Sequence, residues 1–300
     1  MARWPNFFIV GAPRSGTTSL YVYLKGHPDV FMPPEWKEPG YFISWDYQLP
    51  ERVTNERDYL GLFARADGKR AIGEATPLYL YDPRAPSRIK AAVPHAKIIM
   101  LLRDPIDRAY SHYLLGVRTG AEQRSFYTAV TDELGPALKS IEATWPFYVQ
   151  IGLYYEQVKR YLDTFGSAQV RIYLFDDLEK DPLELMKDIC NFLDVPFNNG
   201  HFFDPQSKFL DYRMPRLSSL RRLLTTILHL HILGSGTVLS YVYKILSPEI
   251  VIQLDGRFFS ADGAKSPMDH EAKEFLHSVY AADVHKLQGL IGRDLGTWLT

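Results

Sequence analysis

The stretch that decides the fold reads Gly11-Ala-Pro-Arg14-Ser-Gly16-Thr-Thr-Ser-Leu20. An apolar run at residues 7–10 precedes it. The last four residues of the stretch begin a segment with the composition of a short helix, Thr17–Lys25. A glycine-rich turn between a buried strand and a helix presents backbone N–H groups to an anion, and the helix dipole adds a positive end. We therefore predict a strand, a phosphate-binding loop and a helix here, with Arg14 as the cation of the loop.

Further apolar runs and helix signals extend this pattern along the chain. The runs at Ala71–Ala75, Lys97–Leu102 and 170–175 predict buried strands. Helix starts are predicted where a capping residue precedes proline, at Asp104-Pro105, Asp181-Pro182 and Ser266-Pro267, and residues 153–165 have helical spacing before Gly166. This alternation predicts an α/β fold, a P-loop-like and mainly parallel sheet flanked by helices, with ligands at the carboxyl ends of its strands.

A second candidate anion site follows the predicted strand Lys97–Leu102. The sequence there reads Arg103-Asp-Pro-Ile-Asp-Arg-Ala-Tyr-Ser111. Ser111 lies about two helical turns after Asp104, so its hydroxyl lies on the same face of the helix as this capping residue. Ser111 and Arg103 can then bind the same anion. The alternative is that Arg103 only pairs with a nearby carboxylate.

Composition restricts the class of protein. The 300 residues are 46% hydrophobic and 23% charged, as in folded globular chains, and no repeat or linker divides them, so we predict a single domain over residues 1–300. Lys plus Arg (34) balance Asp plus Glu (35), which disfavours a nucleic-acid partner. One cysteine, Cys190, excludes an internal disulfide and a Cys-rich zinc site and fits a cytoplasmic protein. No metal-binding motif is present, and no metal is predicted.

Four motifs, taken in order, resemble those of the sulfotransferase family. Between the two motifs already quoted lie Pro33-Pro-Glu-Trp-Lys-Glu-Pro-Gly-Tyr-Phe42 and Gly73-Glu-Ala-Thr-Pro77. The similarity runs from Phe7 to Trp298 and is strongest to bacterial members of the branch that contains the heparan sulfate sulfotransferases. It implies transfer of a sulfuryl group from 3'-phosphoadenosine 5'-phosphosulfate (PAPS) to a hydroxyl or amine, with adenosine 3',5'-bisphosphate (PAP) as the product.

The resemblance also assigns residues that bind the cofactor. The 5'-phosphosulfate would be held by Arg14, Ser15, Gly16, Thr17, Thr18 and Ser19. Arg14 stands at the position of the family's loop lysine and would also clamp the leaving group in catalysis. Arg103 and Ser111 would hold the 3'-phosphate. A closing loop is implied near residues 262–267, where Gly263 and Lys265 match the family and Asp262 and Ala264 depart from its basic residues.

A catalytic base is implied at Glu38, which follows Lys37 and precedes the aromatic pair Tyr41 and Phe42. Sulfuryl transfer requires the acceptor to lose a proton as it attacks, while cations absorb the charge that builds on the leaving phosphate oxygen. Aromatic neighbours would raise the pKa of such a carboxyl. The alternative is that Glu38 forms a surface ion pair with a lysine. His112, next to Ser111, is a further candidate for a chemical role.

Two other functions remain open on the sequence. A P-loop kinase or nucleotidase shares the spacing of Gly11 and Gly16, but Thr17 stands where that motif needs lysine, and Arg103 ends a strand where a magnesium-binding acid is expected. A non-catalytic nucleotide-binding module would keep the loop without the chemistry.

The acceptor is predicted to be a glycan, a lipid or a small molecule, next to a helical segment at about residues 210–255. Within this segment, the stretch from Leu223 to Tyr243 lacks formal charge but is interrupted at Gly234 and Gly236. This pattern predicts two amphipathic helices rather than a membrane span, with peripheral membrane contact as the alternative.

Overall fold

Five parallel strands form one sheet in the order β2-β3-β1-β4-β5. They are β1 (Phe7–Gly11), β2 (Val30–Phe31), β3 (Ala71–Ala75), β4 (Lys97–Leu102) and β5 (Val170–Leu174). The computed structural model describes residues 3–44, 52–134, 147–197 and 268–299. Because β3 and β4 both pair with β1 in parallel, the segments that follow these three strands leave the same edge of the sheet.

Helices connect and flank the strands, as parallel pairing requires. Their bounds are α1 (Thr17–Lys25), α2 (Glu56–Gly61), α3 (Ala85–Ala92), α4 (Pro105–Thr119), α5 (Phe126–Leu134), α6 (Tyr154–Phe165), α7 (Phe175–Lys180), α8 (Pro182–Leu193) and α9 (His270–Ile291). Short 3-10 helices lie at Pro77–Tyr79, Gln150–Gly152, Ser167–Gln169 and Gly296–Leu299. The long helix α9 packs against α6 and also contacts α4 and α5.

The core explains why these strands read as unbroken apolar runs. All five residues of β1 are buried, as are all five of β3 and five of the six of β4. Strands covered on both faces need apolar side chains at every position rather than at alternate ones. The exception is Glu74, a carboxylate in the middle of β3 that is also fully buried.

Most of the predicted elements are confirmed. The observed β4 and α1 have the predicted bounds, and Gly166 ends α6. Asp104 caps α4 by accepting from the backbone N–H groups of Ile106 and Asp107 at 2.8 and 3.2 Å. The predicted helix start at Ser266-Pro267 falls on residues that the structure does not describe, and α9 itself is capped by Asp269.

Several predictions lie outside the described residues. They concern Ser266 and Pro267 themselves, the helical segment at 210–255, the stretch from Leu223 to Tyr243 and the closing loop with Gly263 and Lys265. The described residues belong to one compact unit that combines 1–202 with 267–300, so the single domain over residues 1–300 stays a prediction. Within that described part, every helix is too short or too polar for a membrane span.

Candidate functional site

The loop after β1 turns sharply into α1. Gly16 caps the helix with φ +88°, and a Cβ there would come within 3.0 Å of the Leu178 and Phe175 side chains. Only glycine avoids both the strained φ and this contact. No side chain caps α1, and its first turn contains no acidic residue. The first N–H groups of α1 are therefore not neutralised by a carboxylate, and they favour an anion beside the loop.

Arg14, Ser111 and Arg103 come together although they belong to three separate segments. The Arg14 Nε donates to Ser111 Oγ at 3.2 Å, and Arg103 Nη1 lies 3.5 Å from the Arg14 backbone oxygen. The Arg103 guanidinium also lies over the Phe175 ring, 4.8 Å from its centroid. The sequence placed Ser111 beside Arg103, whereas its observed partner is Arg14. The loop after β1 therefore reaches across to α4 and joins the two predicted anion sites.

The alternative role for Arg103, a simple ion pair, is present but weak. Its Nη2 lies 3.4 Å from Asp107 Oδ2, one helical turn along, and the Asp107 side chain is 56% exposed. A long contact to an exposed carboxylate contributes little free energy. Arg103 therefore keeps the capacity to pair with an anion.

A third arginine lies deeper, on helix α4, which also bears Ser111. Arg108 is fully buried, its Nη1 lies 3.4 Å from His112 Nδ1, and its Nη2 donates to the Tyr148 backbone oxygen. Burial, together with the guanidinium groups of Arg108 and Arg14, holds the pKa of His112 well below its usual range. His112 is therefore neutral and a poor proton acceptor, which speaks against the chemical role considered from the sequence.

Two buried hydroxyls near the loop, Ser15 Oγ and the Tyr154 OH, lie close enough to influence each other, but neither forms a hydrogen bond of good geometry in the described part of the chain. Burial raises the pKa of Tyr154 to about 12, against smaller opposing effects from Arg108 and the nearby Ser15 hydroxyl. A buried polar atom without a partner costs free energy, so the Ser15 hydroxyl fits a ligand that supplies an acceptor.

The predicted base lies on a different segment, residues 38–42, which we call the Glu38 loop. The Glu38 side chain is 48% exposed, and its Oε1 pairs with Lys37 Nζ, so the surface ion pair considered from the sequence is present. No hydrogen bond or ion pair among the described residues joins Glu38 to Arg14, Arg103 or Ser111. The role of Glu38 stays a prediction.

Sequence analysis assigns no role to Glu74, which the structure shows as a fully buried acid. Burial raises the pKa of Glu74 to about 7, opposed by hydrogen bonds from Thr76, Tyr59 and Tyr79 and reinforced by the charge of Glu38. The available signal was a carboxylate inside the apolar run Ala71–Ala75. No group of three metal-ligating side chains occurs among the residues that the structure describes.

Comparison with known proteins decides the family. Residues 5–214 match the family described as Sulfotransferase domain. The chain belongs to the sulfotransferase family. A crystal structure of a sulfotransferase from Alicyclobacillus acidocaldarius is 31% identical, with a TM-score of 0.71, over 99% of this chain and 100% of that chain. The resemblance, the α/β fold and the assignment as a sulfotransferase enzyme are thus confirmed, against the kinase and the non-catalytic module.

Curated relatives of this sulfotransferase act on heparan sulfate, according to their names. The mouse bifunctional heparan sulfate N-deacetylase/N-sulfotransferase 4 is 26% identical over 98% of this chain and 31% of the relative. The mouse heparan sulfate glucosamine 3-O-sulfotransferase 3B1 is 29% identical over 68% of this chain and 50% of the relative. This chain spans between about a third and a half of the length of these two relatives.

Proposed function

We propose that this sulfotransferase transfers a sulfuryl group from PAPS to a hydroxyl or amine, and that the nucleotide binds where Arg14, Ser111 and Arg103 meet. The observation that carries the proposal is that the Arg14 guanidinium contacts Ser111 and the Arg103 guanidinium contacts the Arg14 backbone, beside an uncapped helix N-terminus. Guanidinium groups and helix N-termini are the protein groups best suited to phosphate. PAPS carries two separate phosphate groups, which matches an extended site rather than a single cation.

The residues present fit such a nucleotide. Gly16 allows the left-handed turn into α1, and the buried Ser15 hydroxyl forms no hydrogen bond of good geometry among the described residues. Thr17, Thr18 and Ser19 add the hydroxyl and N–H groups of the first turn of α1. In this proposal the loop holds the 5' end, and Arg103 and Ser111 hold the 3'-phosphate. Gly263 and Lys265 would join from the closing loop.

The chemistry divides between two groups of residues. When bound, PAPS supplies the sulfuryl group and a phosphate leaving group. Arg14 and the N-terminus of α1 stabilise the negative charge that develops on the leaving oxygen, without a metal ion in this proposal. Glu38 accepts the proton of the attacking hydroxyl or amine. The half-exposed position of Glu38 leaves it accessible to an acceptor that arrives from solvent.

The acceptor proposed first is a glycan, because the curated relatives named above include both N- and O-sulfotransferases of heparan sulfate. A phenolic small molecule and a lipid alcohol are the other acceptor classes of the proposal. Peripheral membrane contact through the stretch from Leu223 to Tyr243 and a cytoplasmic location belong to the proposal as well.

A transfer assay tests this function. The protein is incubated with PAPS and one of three acceptors in parallel reactions: a glycosaminoglycan with free glucosamine amines, p-nitrophenol or a lipid alcohol. The amounts of PAP and of sulfated product are then measured. We expect equal amounts of PAP and sulfated acceptor with at least one acceptor, in the presence of excess EDTA. PAP release without any sulfated product, or activity restored only by magnesium and ATP, would contradict the proposal.

A further inference from the structure

The buried carboxylate of Glu74 is surrounded by hydroxyl groups. Its Oε1 accepts from Thr76 Oγ1 at 2.5 Å, and its Oε2 accepts from the Tyr59 OH at 2.6 Å and the Tyr79 OH at 3.2 Å. No Lys, Arg or His forms an ion pair or hydrogen bond with Glu74 among the described residues. A charged group without a counterion in a core is costly, so its ionised form depends on these three donors.

Two of the three hydroxyls also contact the Glu38 loop. The Gly40 N–H donates to Thr76 Oγ1 at 3.3 Å, and the Phe42 N–H donates to the Tyr79 oxygen at 3.2 Å. A hydroxyl has one proton and two lone pairs. When Thr76 and Tyr79 give their protons to Glu74, their lone pairs point outward and accept the two N–H groups. The ionised carboxylate of Glu74 therefore orients both hydroxyls so that their lone pairs are available to the loop.

Other contacts of the loop and of the residues just after it connect to the same part of the fold. The Arg88 Nη1 donates to the backbone oxygens of Phe42 and Ile43, at 3.2 and 2.6 Å, and the Ser44 N–H donates to Asp82. These contacts fix the chain after Phe42. Within four residues of Glu38, the contacts to Thr76 and Tyr79 act together with this Arg88 contact to Phe42 and with the Val53 N–H, which donates to the Pro39 oxygen at 2.9 Å.

We propose that Glu74 is a positioning residue for sulfuryl transfer, which acts through Thr76 and Tyr79 to hold the backbone of the Glu38 loop. The inference rests on the proposed role of Glu38. A base must stand within hydrogen-bond reach of the acceptor proton, and a displacement of about 1 Å can lower the rate by about a hundredfold. Loss of either contact should therefore lower kcat, while the nucleotide site after β1 and β4 is untouched.

A matched pair of variants separates this role from general stability. Tyr79→Phe and Tyr59→Phe each remove one phenol donor from the same carboxylate oxygen, Glu74 Oε2. Only Tyr79→Phe also removes the acceptor of the Phe42 N–H. Tyr59→Phe keeps the ring that stacks on Tyr41 with a centroid distance of 4.3 Å. We expect Tyr79→Phe to lower kcat by roughly tenfold to a hundredfold and Tyr59→Phe by about threefold or less.

A second pair of variants, at Thr76, keeps the proposal testable if a tyrosine variant fails to fold. Thr76→Val removes the hydroxyl at nearly constant shape, and Thr76→Ser restores it. We expect Thr76→Val to lose kcat to the same extent as Tyr79→Phe and Thr76→Ser to recover most of it. For every variant, the KM for PAPS and the Kd for PAP should stay within about twofold of the parent protein. Equal kcat losses in Tyr59→Phe and Tyr79→Phe, with Thr76→Ser no better than Thr76→Val, would overturn the proposal.

A double variant keeps this test distinct from the test of Glu38. If Tyr79 acts through Glu38, adding Tyr79→Phe to Glu38→Gln should lower kcat no further, because groups that act as a unit are not additive. A full multiplicative loss would show that Tyr79 acts elsewhere and would overturn the positioning role. Normal turnover in Glu38→Gln alone would instead refute the base, whatever Tyr79→Phe does.

Discussion

The segments after β1 and β4 and the segment after β3 leave the same edge of the sheet, yet they treat charge in opposite ways. Around Arg14 and Arg103, positive charge accumulates, and the one neighbouring histidine is kept neutral. Around Glu74, a carboxylate is stabilised by hydroxyls with no cation in contact among the described residues. We infer that the edge is divided into a half that binds anions and a half that supports proton transfer. Variants in each half should therefore affect different kinetic constants.

The largest effect expected in the proton-transfer half is that of Glu38→Gln. Removing a general base typically lowers the rate by about two to four orders of magnitude. The Kd for PAP, measured by titration calorimetry, should stay unchanged because, among the described residues, Glu38 forms no hydrogen bond or ion pair with Arg14, Arg103 or Ser111. Glu35→Gln serves as the control, since Glu35 lies three residues earlier and is likewise exposed and ion-paired, with Arg65, but has no proposed role in the reaction. Equal turnover in the two variants would remove Glu38 from the mechanism.

The next effect concerns how stability depends on pH. The native pKa of Glu74, about 7, lies above its ordinary value of 4.5, so the folded protein holds this proton more tightly than the unfolded chain does. Its contribution to stability is complete below pH 4.5 and is lost as the pH rises to 7. Relative to Glu74→Gln, the free energy of unfolding of the parent protein should fall by an amount on the order of 3 kcal/mol over this window.

Urea unfolding at several pH values checks this expectation, and the comparison with Glu74→Gln cancels the contributions of other titrating groups. Asp104, whose pKa burial raises to about 6, titrates in the same window in both proteins. Parallel stability curves for the two proteins would show that Glu74 is not the buried, uncompensated carboxyl that the structure describes.

The smallest effect is expected from Asp107→Asn, in the anion-binding half. The contact between Arg103 and Asp107 is long and largely exposed, so its loss should change stability by only about 0.3–1 kcal/mol, including the helix-dipole effect. The Kd for PAP should stay the same or decrease up to about twofold, because Arg103 loses a competing partner. A marked loss of PAP affinity would show that the ion pair, rather than Arg103 alone, forms the site.

Of the two halves of this sheet edge, the sequence predicted the residues of the anion-binding half but not the contacts between them. The residues of the anion-binding half lie next to apolar runs or next to a helix cap that precedes a proline. Such local signals predicted β4, α1, Arg103 and the N-cap at Asp104. The hydrogen bond from Arg14 to Ser111 was not predictable, because it spans 97 positions and depends on β1 and β4 being neighbours. Local patterns contain no information on such pairings.

The proton-transfer half was less accessible still. No local pattern assigns a role to the hydroxyls of Tyr59, Thr76 and Tyr79, and only the tertiary fold brings them to Glu74. The only local signal was the carboxylate of Glu74 within the apolar run that forms β3. The cap of α9 was not singled out from the sequence either: it is Asp269, whose carboxylate accepts from the Glu271 N–H at 3.1 Å.

The central claim, that Arg14, Ser111 and Arg103 form a site for a nucleotide with two phosphate groups, is tested by binding. Titration calorimetry compares PAP with adenosine 5'-phosphate, which lacks the 3'-phosphate. One charge-assisted contact contributes about 1.5–3 kcal/mol, so PAP should bind about ten to a hundred and fifty times more tightly. Arg103→Ala should abolish most of this preference, and Arg14→Ala should weaken both ligands alike. Equal affinities of the unmodified protein for the two nucleotides would contradict the account.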